Sequence, residues 1–320
     1  MSKLFSFTTN RTLSKWVISI CIWIVITGTA IGDLDPALRE AYDSTQVSAQ
    51  TCTNSVSSFT YFDSDFEDVF NPVTPRESSA TYKDYTINIY RGLGSLPSSL
   101  EVLHKNQFVY GRHANSLHFL ADERIALGQD ITGDGNPNMV IREWGGGAHG
   151  PHFFHIYELE PRFRFIQCIQ IGNGSFDNLD ADPAIELKVY DGVFSYLRSS
   201  YAGSPYIPVY LKYRDGAYRL ALDIMRKAPL PPTKLSEIAD LIRVLPEWKD
   251  PVDHTGPPPM SLWHEVIDLV YSGNLTQARI LFHLSWPYYI EGRNEAWADF
   301  LERLSSSDYW KGIQEINGMN

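Results

Sequence analysis

The chain has 320 residues, with 38 acidic against 27 basic side chains and a formal net charge of −11. That length suits one large domain or two modest ones, and a hydrophobic content of 43% is enough for a true core. So acidic a body argues against nucleic acid and anionic lipid as partners, since both require a basic footprint.

Residues 1–30 read as a signal peptide. Lys3, Arg11 and Lys15 precede the apolar run from Trp16 to Gly32, and Gly28 and Ala30 supply the small residues that precede cleavage. This run is short for a membrane span of about 20 residues. Cleavage predicts a periplasmic or secreted protein. Left uncleaved, residues 16–32 would anchor the chain to a membrane and suit a tethered assembly factor. Without residues 1–30, 24 basic side chains face 38 acidic ones, a net charge of −14. Two cysteines remain, Cys52 and Cys168; export permits a disulfide between them, and sequence leaves their pairing open.

Residues 31–80 form a Ser/Thr-rich lead-in without a helical face, expected to be extended. Residues 81–228 then carry short β-branched and aromatic runs between Gly, Asn and Asp, among them YTINIY, MVIREW, FFHIYEL, FRFIQCIQI, VFSYL and IPVYLKY. Such spacing predicts many short strands. Three stretches, EVLHKNQFVYG, YELEPRFRFIQ and YLKYRDGAYRLAL, read as strand, polar turn and returning strand. Phe108, Phe163 and Tyr218 hold the equivalent place, and 163 − 108 and 218 − 163 are both 55. That period is compatible with a four-stranded propeller blade.

Residues 229–260 read as a Pro-rich linker with one helix, in which Leu235, Ile238, Leu241 and Ile242 share a face. Residues 261–320 read as a helical domain. Ser261 is the expected N-cap of its first helix, and Asn274 with Gln277 forms a capping box for the second. A third helix turns Trp297, Phe300, Leu301 and Leu304 inward, and DYWKGIQEI adds a short fourth segment. Two of these helices, joined by SGN, resemble one hairpin of the tetratricopeptide kind. The expected fold is therefore a mainly β repeat domain, propeller-like or a partial propeller, followed by a small α-helical C-terminal domain. A sandwich of repeated hairpins remains the alternative.

Two loops carry the clearest chemical pattern. In DITGDGNPN, counted from Asp130, oxygen-bearing side chains fall at positions one, three, five, seven and nine: Asp130, Thr132, Asp134, Asn136 and Asn138, with Gly135 at six. Alternate oxygens around a sharp bend are what a hard cation needs, since Ca²⁺ takes six to eight of them. A bare polar turn before a strand explains the same residues without a metal. The second stretch, NLDADPAIE, places Asn178, Asp180, Asp182 and Glu186 at one, three, five and nine, and begins 48 residues after the first. It carries more charge, but Pro183 stands where the first loop has glycine, and proline cannot take a left-handed bend.

Such paired loop–strand units resemble the calcium-loop β-repeats called FG-GAP or VCBS, seen in integrin-alpha-type propellers. Resemblance covers roughly residues 124–222 and is specific at the loops. It implies Ca²⁺ held between blades as support for a binding surface. DITGDGNPNMVIREWGGGAH is also similar to exported bacterial proteins of unknown function that carry such loops.

Other residues invite different chemistry. His149, His152 and His155 lie close enough to suggest zinc, but strand alternation would point His152 away from the other two. Arg142 and Trp144 would share a strand face opposite Glu143, and on an open face they suit a carbohydrate or peptide. The leading expectation is an exported binding or structural interaction protein with a protein or carbohydrate partner and no clear catalytic activity. The alternative is a metal-assisted hydrolase of an extracellular polymer, using the three histidines with Glu143 or Asp191.

Overall fold

A computed structural model describes residues 58–60, 75–93, 97–119, 125–180, 182–249 and 258–319. All belong to the compact unit Gln50–Asn320. The expected signal peptide, most of the lead-in and Cys52 lie outside the described residues. Among the described residues no helix is long and apolar enough to cross a membrane.

Thirteen strands are described: β1 Ser58–Thr60, β2 Arg76–Tyr82, β3 Tyr85–Tyr90, β4 Ser98–His104, β5 Gln107–Ala114, β6 Ser116–Phe119, β7 Asn138–Trp144, β8 His152–Glu158, β9 Arg164–Gln170, β10 Ser175–Asp177, β11 Glu186–Tyr190, β12 Pro208–Arg214 and β13 Ala217–Leu220. They form three successive antiparallel meanders. The first sheet runs β1-β5-β4-β3-β2, the second β6-β7-β8-β9 and the third β10-β11-β12-β13. The 55-residue recurrence has a structural counterpart. Its three stretches are the hairpins β4–β5, β8–β9 and β12–β13, which join the last two strands of each meander.

The sheets stack because their middle strands are apolar on both sides. Along β7, Met139 and Ile141 face the first sheet and join a core with Ile87, Leu100 and Tyr110. Val140, from the same strand, joins the other core with Phe154, Phe176, Leu187 and Leu211. The recurring aromatic has a similar duty in two of the hairpins. Phe163 packs 5.5 Å from Tyr110 of the first sheet, and Tyr218 lies 6.2 Å from Phe176 beneath both acidic loops.

Among the described residues six α-helices follow: α1 Leu222–Met225, α2 Pro232–Arg243, α3 Met260–Tyr271, α4 Leu275–Ser285, α5 Arg293–Ser305 and α6 Trp310–Ile316. Their core is continuous with that of the third sheet: Phe300 of α5 stacks on Phe194 at 5.7 Å, and Gly312 of α6 lies against Leu220 of β13.

Local readings differ from the structure in instructive ways. Strand β2 lies largely inside the expected lead-in; its RESSATY has little buried face, and it is ordered by backbone pairing to β3 at the sheet edge. VFSYL is not a strand. Asp191 caps a 3₁₀ turn over Gly192–Phe194 by accepting the Val193 N–H at 3.0 Å, and a loop then buries Leu197. Pro259, not Ser261, precedes α3. The Asn274–Gln277 capping box does not form, because the Gln277 amide binds both the N–H and the carbonyl of Leu230 at 2.8 Å. The first amide of α4, Leu275, is served by Asn317 instead, at 2.9 Å. Leu241 and Leu301 face outward; Ala239 with Ile242, and Ala296 with Phe300 and Leu304, take the buried positions.

Candidate functional site

The acidic loops occupy the same place in consecutive sheets, each leading into the second strand of its meander. They also share a conformation. The position-nine side chain accepts the position-two amide in both: Asn138 from Ile131 and Glu186 from Leu179, each at 2.8 Å. At position five, Asp134 accepts the Asn136 amide and Asp182 the Ala184 amide, each at 3.0 Å. Pro183 therefore does not prevent the turn. The loops diverge at position six, where Gly135 takes φ +87° and donates to Asp130 at 2.8 Å, a bond proline cannot make.

The two loops lie side by side. Ile185 N–H donates to the Ile131 carbonyl at 3.0 Å, and the buried Tyr218 hydroxyl lies 3.0 Å from the same oxygen and 3.4 Å from that of Ile185. Burial, then the negative charge of Glu186 and the neighbouring acids, pushes the Tyr218 phenol up and keeps it a donor.

In the first loop the oxygens converge. Oxygens of Asp130, Asp134 and Asn138 lie 3.2, 3.0 and 3.2 Å from the Thr132 hydroxyl. The same three oxygens also accept backbone amides, from Gly133, Asn136 and Ile131, so the loop closes on its own donors; two carboxylates among hard oxygens are the ligand type a cation such as Ca²⁺ takes. Asn136 turns away, its amide 3.5 Å from Glu158.

The second loop is built differently. Asp180, Asp182 and Glu186 place carboxylate oxygens within 4.8 Å of one another, a set that can hold a metal. Asn178 is exposed and has no described bond to this set. The Lys212 ammonium from β12 sits among the three carboxylates, in direct contact with Asp180 and Asp182 and 3.7 Å from Glu186. Burial disfavours the Lys212 charge, but hydrogen bonds to Asp180 and Asp182 outweigh it and raise the pKa, while the ammonium holds Asp180 below the usual carboxylate range. Neither Lys212 nor its counterpart Glu158 stands out in the sequence, because each reaches its loop only through strand pairing.

The three histidines go to three places. His149, on the glycine loop, stacks on Tyr201 at 4.3 Å and lies 3.3 Å from the Tyr196 hydroxyl. His152 pairs with Arg142 at 3.4 Å. His155 is buried against Glu143 at 2.6 Å, and Glu143 also receives Arg112 of the first sheet at 2.9 Å. Glu143 thus faces inward, opposite Arg142 and Trp144 as its strand position predicts. Among the described residues, the only group of three or more potential metal-ligating His, Cys, Asp or Glu is the second loop's triad. Cys168 is disulfide-bonded, and its partner falls outside the described residues.

At the opposite ends of β7 and β11 lies an aromatic face. Tyr201 contacts His149 and also Tyr196 at 5.5 Å and Tyr206 at 5.9 Å, and Tyr206 meets Tyr190 at 6.3 Å. Tyr196 is 53% exposed and Trp144, at the end of β7, 39%. Tyr196 and Arg198 hold positive φ, 59° and 47°, a costly conformation for side-chain-bearing residues. Tyr190 also lines an adjoining cavity of about 200 Å³ with Gln170, Asp191, Ser307, Asp308 and Tyr309. Burial raises the pKa of Asp191, opposed by donors from Ser307, Tyr271 and the Val193 amide. Burial and the charge of Asp191 raise that of Asp308. Sequence reasoning singled out His149, Trp144 and Asp191 here but none of the tyrosines, because tyrosines scattered along a loop carry no periodic signal.

The chain matches no family model, no curated protein and no solved structure. Its resemblance to calcium-loop repeats therefore rests on the two loops.

Proposed function

We propose that this is an exported binding protein whose stacked sheets, of propeller or partial-propeller type, display the aromatic face and its cavity to a carbohydrate ligand. One observation carries the reading: exposed Tyr196, Tyr206 and Trp144 lie at the same ends of the sheets as a polar cavity. Flat aromatic rings offer apolar area at low entropic cost, and tyrosine adds a hydroxyl at the rim. Sugars need both, since one side of the ring is C–H and the edge is hydroxyl. Strained backbone at Tyr196 and Arg198 agrees with a site held in a set shape. The disulfide at Cys168 suits an oxidising compartment and hence export. Calcium at the first loop serves as structural support, at the far ends of the same strands.

Titration of the full chain against a panel of neutral polysaccharides, by affinity electrophoresis, tests the proposal. Retardation by at least one polysaccharide, lost in Tyr196→Ala and Trp144→Ala without loss of folding, is the expected result. No retardation by any of them, or equal retardation of wild type and variants, would refute it. For calcium, the test is Tm after chelation with and without 5 mM Ca²⁺. A rise that Asp130→Ala/Asp134→Ala lacks is expected, and no rise would reduce the first loop to a turn.

A further inference from the structure

We infer that Lys212 is a tethered cation that takes the metal's place in the second loop, so that calcium binding is confined to the first. The inference rests on the calcium reading for the first loop and departs from it for the second.

Strand register makes the comparison direct. In the second sheet Met139 pairs with Tyr157 and Asn138 with Glu158. In the third sheet Leu187 pairs with Leu211, the equivalent of Met139 with Tyr157, which sets Lys212 of β12 beside Glu186 as Glu158 of β8 is beside Asn138. The position facing each loop therefore carries opposite charge. Around the first loop it is an acid, Glu158, itself bound by Arg164 at 2.9 Å. Around the second it is a lysine whose side chain is only 7% exposed.

The second loop gathers three carboxylates, one of them fully buried. Its Glu186 is fully buried, and Glu186 Oε1 has no hydrogen-bond partner and lies 3.7 Å from the Lys212 nitrogen. Clustered carboxylates repel one another, most where one of them is buried, and a positive charge among them relieves that repulsion. A divalent ion meets that need in a calcium loop, and here an ammonium on a flexible stem meets it. Lys212 also comes within 4.0 Å of Asp223, so four carboxylates surround it. Calcium would have to displace a charge that cannot diffuse away.

Two variants of the full chain test the inference, with Ca²⁺ binding read by titration calorimetry and Tm read in chelator and in 5 mM Ca²⁺. Lys212→Ala vacates the centre, and Asp182→Asn removes a half-exposed carboxylate while keeping the lysine. Wild type is expected to bind one Ca²⁺ and Lys212→Ala two. Lys212→Ala should lose roughly 5 °C or more of Tm in chelator and regain most of it with Ca²⁺. Asp182→Asn should leave the wild-type Ca²⁺ response unchanged. Loss of that response in Asp182→Asn would overturn the inference, because a metal would then be the natural occupant; so would a folded Lys212→Ala that gains no Ca²⁺. If Lys212→Ala does not fold, the Asp182→Asn result decides. A wild type that binds no Ca²⁺ beside a Lys212→Ala that binds one would sink the first-loop reading and leave Lys212 as the cation of the second loop.

Discussion

Glu143→Ala should be among the most damaging single changes in the β region. Glu143 and Arg112 side chains are 4% and 9% exposed, and they join the second sheet to the first through a 2.9 Å ion pair. Removing the carboxylate leaves a guanidinium buried without its counter-charge and takes the acceptor from the fully buried His155. Breaking a buried pair from one side costs about 3–5 kcal/mol. At about 2–4 °C per kcal/mol for a domain of this size, Tm falls by roughly 6–20 °C. Replacing both partners, as in Arg112→Met/Glu143→Leu, removes the charges together and should restore the part due to the stranded Arg112, while His155 stays without its acceptor. Urea unfolding followed by tryptophan fluorescence, arranged as a double-mutant cycle, measures the coupling. Single variants costing less than about 1 kcal/mol, with no coupling, would match an exposed pair and refute the argument.

Three further outcomes follow from the same structure. Gly133→Ala should destabilise more than Gly135→Ala. Both hold positive φ, but a Cβ at Gly133 would meet the Ala184 nitrogen at 2.6 Å whereas Gly135 faces open space; equal Tm losses would mean the loops do not touch. Tyr218→Phe should cost about 1 kcal/mol by removing the hydroxyl near the Ile131 and Ile185 carbonyls, and an unchanged urea midpoint would contradict that bond. Burial lowers the pKa of His155 despite Glu143, so its folded value lies below the unfolded one. Its contribution is present above about pH 6.5 and is lost as pH falls through the folded pKa. Between pH 7 and 5 wild type should lose more stability than His155→Gln, and parallel curves would exclude His155 as a source of the acid sensitivity.

Much of the local structure was legible in the sequence. Runs of β-branched and aromatic residues between turn residues marked most strands, and the loop spacing was informative because its defining bond, from position-two amide to position-nine side chain, closes within nine residues. Hairpin recurrence at 55 residues was legible for the same reason: turn residues and their flanking strands are neighbours in the chain. Amphipathic spacing located the helices but misjudged Leu241 and Leu301, since which neighbours cover a helix face is not written in its own period.

Tertiary structure decided the charge and the chemistry. Lys212 enters the second loop and Glu158 stands beside the first because strand register brings them there, and register depends on which face of each sheet is buried. Arg112 reaches Glu143 only because two sheets stack, and Tyr271 and Ser307 reach Asp191 only because the helices share a core with the third sheet. The sequence by itself determined where the two acidic loops would form. Only packing decided that one loop holds an ammonium from its own chain, because electrostatic partners are chosen by distance in space.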